Sequence, residues 1–139
     1  MSRINNSFRF TGNVGKTPDI RALNNGGKVA EIPLAVDSSY RNKETGERVE
    51  RVDWFDVVTY SPGLVSIIEQ YVEKGREISV RGFCRKQKWE SKDRQNQDGT
   101  PATDSRYEFV VTDLKFHGKA TKPGAPDNGE SYSGDDQND

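Results

Sequence analysis

The sequence is short of the residues on which most catalytic chemistry depends. It has one cysteine, Cys84, and one histidine, His117. A single cysteine excludes an internal disulfide and fits a reducing cytosol. No Cys/His cluster has the spacing of a metal site. His117 stands alone at the end of a strand-like segment and reads as a structural or solvated side chain. Long apolar runs are missing too. No stretch approaches the roughly 20 residues of a membrane helix, and the opening MSRINNSFRF lacks the apolar run of a signal peptide. The glycine stretches TGNVG and NNGG lack the Lys-Ser/Thr of a phosphate loop and read as turns. An enzyme is therefore not expected, nor a cofactor, a metal or a membrane partner.

Apolar residues make up 31% of the 139, no more than the charged ones. That is thin for a core running the whole length, so part of the chain should lie outside it. The net charge of −1 hides an asymmetry. Residues 1–118 hold 19 Lys and Arg against 17 acids, whereas residues 119–139 hold 2 Lys against 5 acids. An anionic partner for the body and an acidic tail fit this division. From His117 onward the chain is mostly Gly, Pro, Ser, Asp and Asn. Residues 119–139 are accordingly expected to be disordered.

Five segments read as strands. FRFTGNV sets Phe8, Phe10, Gly12 and Val14 on one face at period two. VAEIPLAV alternates Ala30, Ile32, Leu34 and Val36, with Pro33 arguing for an edge or a bulge. VDWFDVVTY, residues 52–60, is β-branched and aromatic. EISVRGFCRKQKW and RYEFVVTDLKF supply the last two. Between the third and fourth, Leu64, Ile67, Ile68, Tyr71 and Val72 recur at helical spacing, with Ser61 and Pro62 as a start and Lys74-Gly75 as a stop. Residues 41–48 and 91–105 read as polar loops. The order fits an all-β chain with one short helix: a five-stranded Greek-key barrel of the OB-fold type, the helix between strands 3 and 4. A helix-capped β-sandwich would give a similar order.

Binding residues stand out where catalytic ones do not. RGFCRKQKWESKDR, residues 81–94, holds six cations around Phe83 and Trp89. Alternation turns Ile78, Val80, Gly82 and Cys84 inward and puts Arg81, Phe83, Arg85, Gln87 and Trp89 on the opposite face. The third strand has apolar groups on both faces, with Trp54, Val58 and Tyr60 on one and Phe55 and Val57 on the other. One face can fill a barrel; the other needs a subunit, a sheet or a ligand. Aromatic rings interleaved with cations suit single-stranded nucleic acid, where stacking tolerates any base and cations follow the phosphates. Core or subunit packing is the competing reading for Trp54 and Tyr60.

Several stretches together resemble the bacterial-type single-stranded DNA-binding proteins. These are FTGNVGKTPDIR, NNGGKVAEIPLAV, YRNKETGERVERVDWFDVV, YVEKGREISVRG with RKQKW, and RYEF with DLKFHG. They cover roughly residues 4 to 118. The resemblance implies an OB-fold domain over 1–118 that binds single-stranded DNA with little sequence preference. It implies a cytoplasmic homotetramer serving replication, recombination and repair, bacterial or phage encoded. By position it implies base stacking on Tyr40, Trp54, Tyr60 and Trp89. It also implies phosphate contacts from Arg3, Arg41, Lys43, Lys74, Arg85, Lys86 and Lys88.

Four features depart from that pattern. Tyr40 stands where Trp is frequent. Asp56 puts a negative charge between Trp54 and Val58. The stretch from Trp89 to Arg106 is longer than usual. The family's tail commonly ends in acids followed by an apolar tip that docks on replication and repair proteins, whereas this chain ends in SGDDQND. An OB-fold interaction module of the primosome type, with mainly protein partners, is the alternative.

Overall fold

The computed structural model describes residues 5–120 and 122–134. Its strands are β1 (Phe8–Val14), β2 (Asp19–Ala22), β3 (Lys28–Asp37), β4 (Tyr40–Arg41), β5 (Arg48–Val49), β6 (Val52–Thr59), β7 (Glu77–Gln95), β8 (Pro101–Phe116) and β9 (Ser131–Ser133). One helix, α1 (Pro62–Tyr71), lies between β6 and β7. The five long strands close on themselves. β1 pairs with β7, β7 with β8, β8 with β6, β6 with β3, and β3 returns to β1 through Asn13–Ala35 and Val14–Leu34. Every pairing is antiparallel except β6–β8. Closure of this kind is the OB barrel and excludes the sandwich.

Period-two alternation fills the barrel. Ile32, Leu34, Val57, Ile78, Leu114 and Phe116 are buried to 1% exposure or less. Helix α1 plugs one end with Leu64, Val65 and Ile68, which recur on a single helical face. The Ser61 hydroxyl accepts from the Leu64 amide, and Pro62 occupies the first turn, where its missing N–H costs nothing. The helix stops at Val72, and Gly75 (φ 90°) then turns the chain back into β7. At the other end Phe8, Phe10, Phe55 and Phe109 pack together, with Phe10 stacked on Phe55 at a centroid distance of 4.1 Å.

Pro33 lies at a local edge, between the reach of β1, which pairs as far as Leu34, and that of β2, which pairs as far as Glu31. It sits inside β3 with β6 on one side. On its other side its carbonyl accepts from Gly15, just past the end of β1 and before the start of β2. Gly15 continues the Asn13–Ala35 and Val14–Leu34 register, but proline has no N–H to return the bond, so the β1–β3 ladder ends there.

The polar stretches hold more strand than their composition indicates. Residues 41–48 are a small hairpin, with Tyr40 opposite Val49 and Arg41 opposite Arg48. Residues 91–105 are mostly strand. β7 and β8 run on as a two-stranded ribbon and turn only across 96–100. Polar side chains on both faces hide a ribbon from a period-two reading, because neither face has a core to meet.

The tail also differs from expectation where it is described. β9 lies along β8, with Tyr132 opposite Leu114 and Ser133 opposite Asp113. The Tyr132 ring meets Phe116 edge-on at 5.9 Å. Arg76, only 4% exposed, donates to the carbonyls of His117 (2.9 Å) and Pro126 (2.7 Å), and its guanidinium covers the Phe116 ring. The cause is a vacancy in the sheet. β6 leaves β8 after Val58–Val110, so the β8 edge from Thr112 onward needs a partner. A short strand with one ring suffices, although its composition cannot build a core.

Candidate nucleic-acid interface

The outward face of the barrel and its ribbon carries Trp54, Tyr60, Arg85 and Trp89 of the expected residues. On β6, alternation turns Phe55 and Val57 inward and Trp54, Asp56 and Val58 outward, with Tyr60 just past its end. Trp54 is 63% exposed. Its six-membered ring lies on Gly15, where a Cβ would collide with it. The absence of a side chain at residue 15 thus sets where the indole rests. The Gly75 amide bonds to the Val14 carbonyl, which brings the turn carrying exposed Lys74 beside this point. Asp56 is exposed opposite Pro33.

Tyr60 and Arg85 meet at a carboxylate that sequence reasoning missed. Glu108, on the outward face of β8, is 6% exposed. The Tyr60 hydroxyl donates to Glu108 Oε2 at 2.6 Å. Arg85 Nε and Gln87 Nε2 donate to Oε1 at 2.9 and 3.0 Å. The Arg85 guanidinium also sits 5.4 Å from the Tyr60 ring centroid. Burial, then the Glu108 bond and charge, raise the Tyr60 hydroxyl above its ordinary pKa. For Arg85, burial pulls the pKa down, but Glu108 and Tyr60 outweigh it and leave a net rise. Beneath this cluster Val29, Val58 and Val110 form a small second core, with Leu23, Phe83 and Tyr60 against it. Phe83 therefore packs on its own chain.

Trp89 stands further out, on the ribbon, 46% exposed and opposite Asp104. Tyr40 lies at the other extreme, 53% exposed on the β4–β5 hairpin. Arg41 on the same hairpin donates to the Gly46 carbonyl, and Lys43 is exposed in its turn. Trp89, Tyr60 and Trp54 thus share the outward face from the ribbon to the start of β6, and Tyr40 stands on the separate small hairpin.

Not every expected residue shares that face. Lys86 and Lys88 project from the other side of the ribbon, since β7 alternates without a register shift between Gly82 and Glu90. Arg3 lies outside the described residues. Tyr107, at 65% exposure, escaped sequence reasoning. Its signal was the alternation of Tyr107, Phe109 and Val111 in RYEFVV, which cannot be read as a face until the partner strand is known.

His117 Nε2 meets the Ser79 hydroxyl at 2.7 Å, and Ser79 meets Thr11 at 2.6 Å, a polar chain on the surface of β1 and β7. Cys84 faces Phe109, and the Asn6 side chain bonds both its carbonyl and its amide, two residues beyond the last β1–β7 pair. Among the described residues no three His, Cys, Asp or Glu are grouped to hold a metal. None of their helices is long and apolar enough to cross a membrane.

Fold and surface define an OB-fold module with an aromatic and cationic face. Residues 5–116 match the single-strand binding protein family, and the chain belongs to that family. Relatives include the single-stranded DNA-binding proteins of Rickettsia typhi, 40% identical, and Rickettsia felis, 39% identical, each over 84 residues and 60% of this chain. Those matches span 55% of the relatives' own length. Among solved structures, a Plasmodium falciparum SSB in complex with ssDNA superposes with a TM-score of 0.65 at 31% identity, covering 80% of this chain and 93% of that one.

Proposed function

We propose that this chain binds single-stranded DNA with little sequence preference, by stacking bases on Trp89, Trp54 and Tyr40 while cations follow the phosphates. The observation that carries the reading is the exposed rings of Trp54 and Trp89 on one sheet face, with that of Tyr40 on the neighbouring hairpin, each about half exposed or more. Rings held on strands cost little entropy to stack on, and each stacked base is worth about 1–3 kcal/mol. Tyr60 supports the surface differently, as a ring clamped by Glu108 that offers one face at most. Lys74, Lys43 and Arg41 supply charge beside Trp54 and Tyr40, and Lys86 and Lys88 supply it on the ribbon. The role is binding and not catalysis, in keeping with family membership.

Replication, recombination and repair are the processes in which such a protein would protect exposed strands, as a homotetramer in the cytoplasm. Titration with oligo(dT), followed by tryptophan fluorescence at several salt concentrations, tests the proposal. Quenching with an affinity that falls as salt rises is expected. Absence of quenching, or affinity indifferent to salt, would overturn it.

A further inference from the structure

The ribbon formed by β7 and β8 beyond the barrel has a ring and cations on each face. Trp89 shares one face with Arg85 and Gln87. The opposite face carries Lys86 and Lys88, and register places Tyr107 directly across from Lys86 and Ser105 across from Lys88. Tyr107 is the most exposed large ring described, at 65% against 46% for Trp89. The Lys86 ammonium lies 5.8 Å from its centroid, which holds the cation beside the ring.

Nothing in the described chain covers this face. β1 pairs with β7 only as far as Phe8–Gly82, and β6 pairs with β8 only at Val57–Phe109 and Val58–Val110. The Asn6 side chain covers the β7 edge at Cys84, and beyond it both long edges of the ribbon are open, so a flexible strand can pass over an edge from one face to the other. The face leads back along β8 to Phe109 and along β7 to Cys84, at the partly buried phenylalanine cluster. Its charge is positive near the ring, and the one acid on it, Glu90, lies at the far end opposite Thr103. Lysine beside an exposed ring argues for nucleic acid over protein, because lysine is depleted in protein–protein interfaces.

We propose that Tyr107, Lys86 and Lys88 form a second site for single-stranded DNA on the ribbon face opposite Trp89, a base stacking on Tyr107 and its phosphates lying on the two lysines. This rests on the reading that the chain binds single-stranded DNA. A bound strand would then grip the ribbon from both sides, and Lys86 and Lys88 would serve this site instead of the Trp89 face.

The test compares the full chain with Tyr107→Ala, Tyr107→Phe and Trp89→Ala. Two probes are used: oligo(dT) of about 8 nucleotides, within one site's reach, and of about 30, beyond it. Tyr107→Ala should weaken the long probe by between about fivefold and a hundredfold and the short one by less than about twofold. Tyr107→Phe should restore wild-type affinity, since stacking needs the ring and not the hydroxyl. Trp89→Ala should weaken both probes. Photocrosslinking of bromodeoxyuridine-substituted long DNA should label Tyr107. Unchanged long-probe affinity in a folded Tyr107→Ala protein would overturn the second site while leaving the first. A change in oligomeric state without loss of long-probe affinity would overturn it in favour of a protein contact. Wild-type protein that binds neither probe would overturn both readings together.

Discussion

Arg85 Nε donates to Glu108 Oε1 across 2.9 Å, and this pair governs how the outward face presents its charge. Glu108 has a 5% exposed side chain, whereas Arg85 is 47% exposed. The carboxylate is the desolvated partner, held by Tyr60, Arg85 and Gln87 together. Arg85 is thus engaged within the protein before any phosphate arrives. Glu108→Gln should free it, so binding to oligo(dT) should gain a salt slope steeper by about 0.7. The same change should cost about 1–3 kcal/mol of stability through the broken network. Arg85→Ala should destabilise similarly yet barely move the salt slope. A slope lowered by Arg85→Ala as much as by Lys88→Ala would mean that Arg85 contacts phosphate despite Glu108.

Trp89→Ala should weaken oligo(dT) binding by about 1–3 kcal/mol if a base stacks on the ring. Its thermal midpoint should stay close to wild type, because the ring is 46% exposed on a ribbon outside the barrel. Fluorescence titration and a melting curve on the same samples check both halves. A large fall in midpoint with affinity intact would make Trp89 a structural residue instead.

The five barrel strands and the helix were legible because each meets one core, and a core imposes period two or 3.6 on the sequence. Trp89 was legible as an exposed ring because alternation put it opposite Gly82, whereas the apolar groups on both faces of its strand left Trp54 open between exposure and packing. What was hidden depends on partners distant in sequence. Glu108 looks like any surface acid until Tyr60 and Arg85 arrive 48 and 23 residues away. The face of Tyr107 depends on its register with Lys86. The β9 strand exists because β6 departs from β8, a property of topology and not of local composition.

Gly15 offers a test of how tightly Trp54 is positioned. A methyl at residue 15 would collide with the far end of the indole, which must then swing away. Gly15→Ala should shift Trp54 emission and cost under about 1 kcal/mol of oligo(dT) affinity, less than the loss of a stacking ring. Trp54→Ala in the same assay sets the upper bound. No spectral change in Gly15→Ala would mean that the indole does not rest on residue 15 in solution.

The attachment of β9 should depend on pH through Asp113. Its carboxylate accepts from Ser133 Oγ at 2.8 Å, from Arg81 Nη2 at 2.9 Å and Nε at 3.1 Å, and from Thr112 Oγ1 at 3.1 Å. Burial pushes its pKa upward, but the bonds from Ser133, Arg81 and Thr112 outweigh that and hold it below the ordinary 3.8. A carboxyl with a depressed folded value contributes stability above its unfolded value and loses it as pH falls through the folded one. The contribution should therefore be full at neutral pH, begin to fade near 3.8 and vanish at lower pH. Asp113→Asn isolates it from the other carboxyls. At pH 7 the variant should melt lower and exchange its Gly134 amide faster, since that amide bonds to the Thr112 carbonyl beside the site. The gap between variant and wild type should close as pH is taken below 3.8, because wild type then loses the same charge. A gap that stays constant down to pH 2 would show that packing of Tyr132 on Phe116, and not the carboxylate, holds the strand.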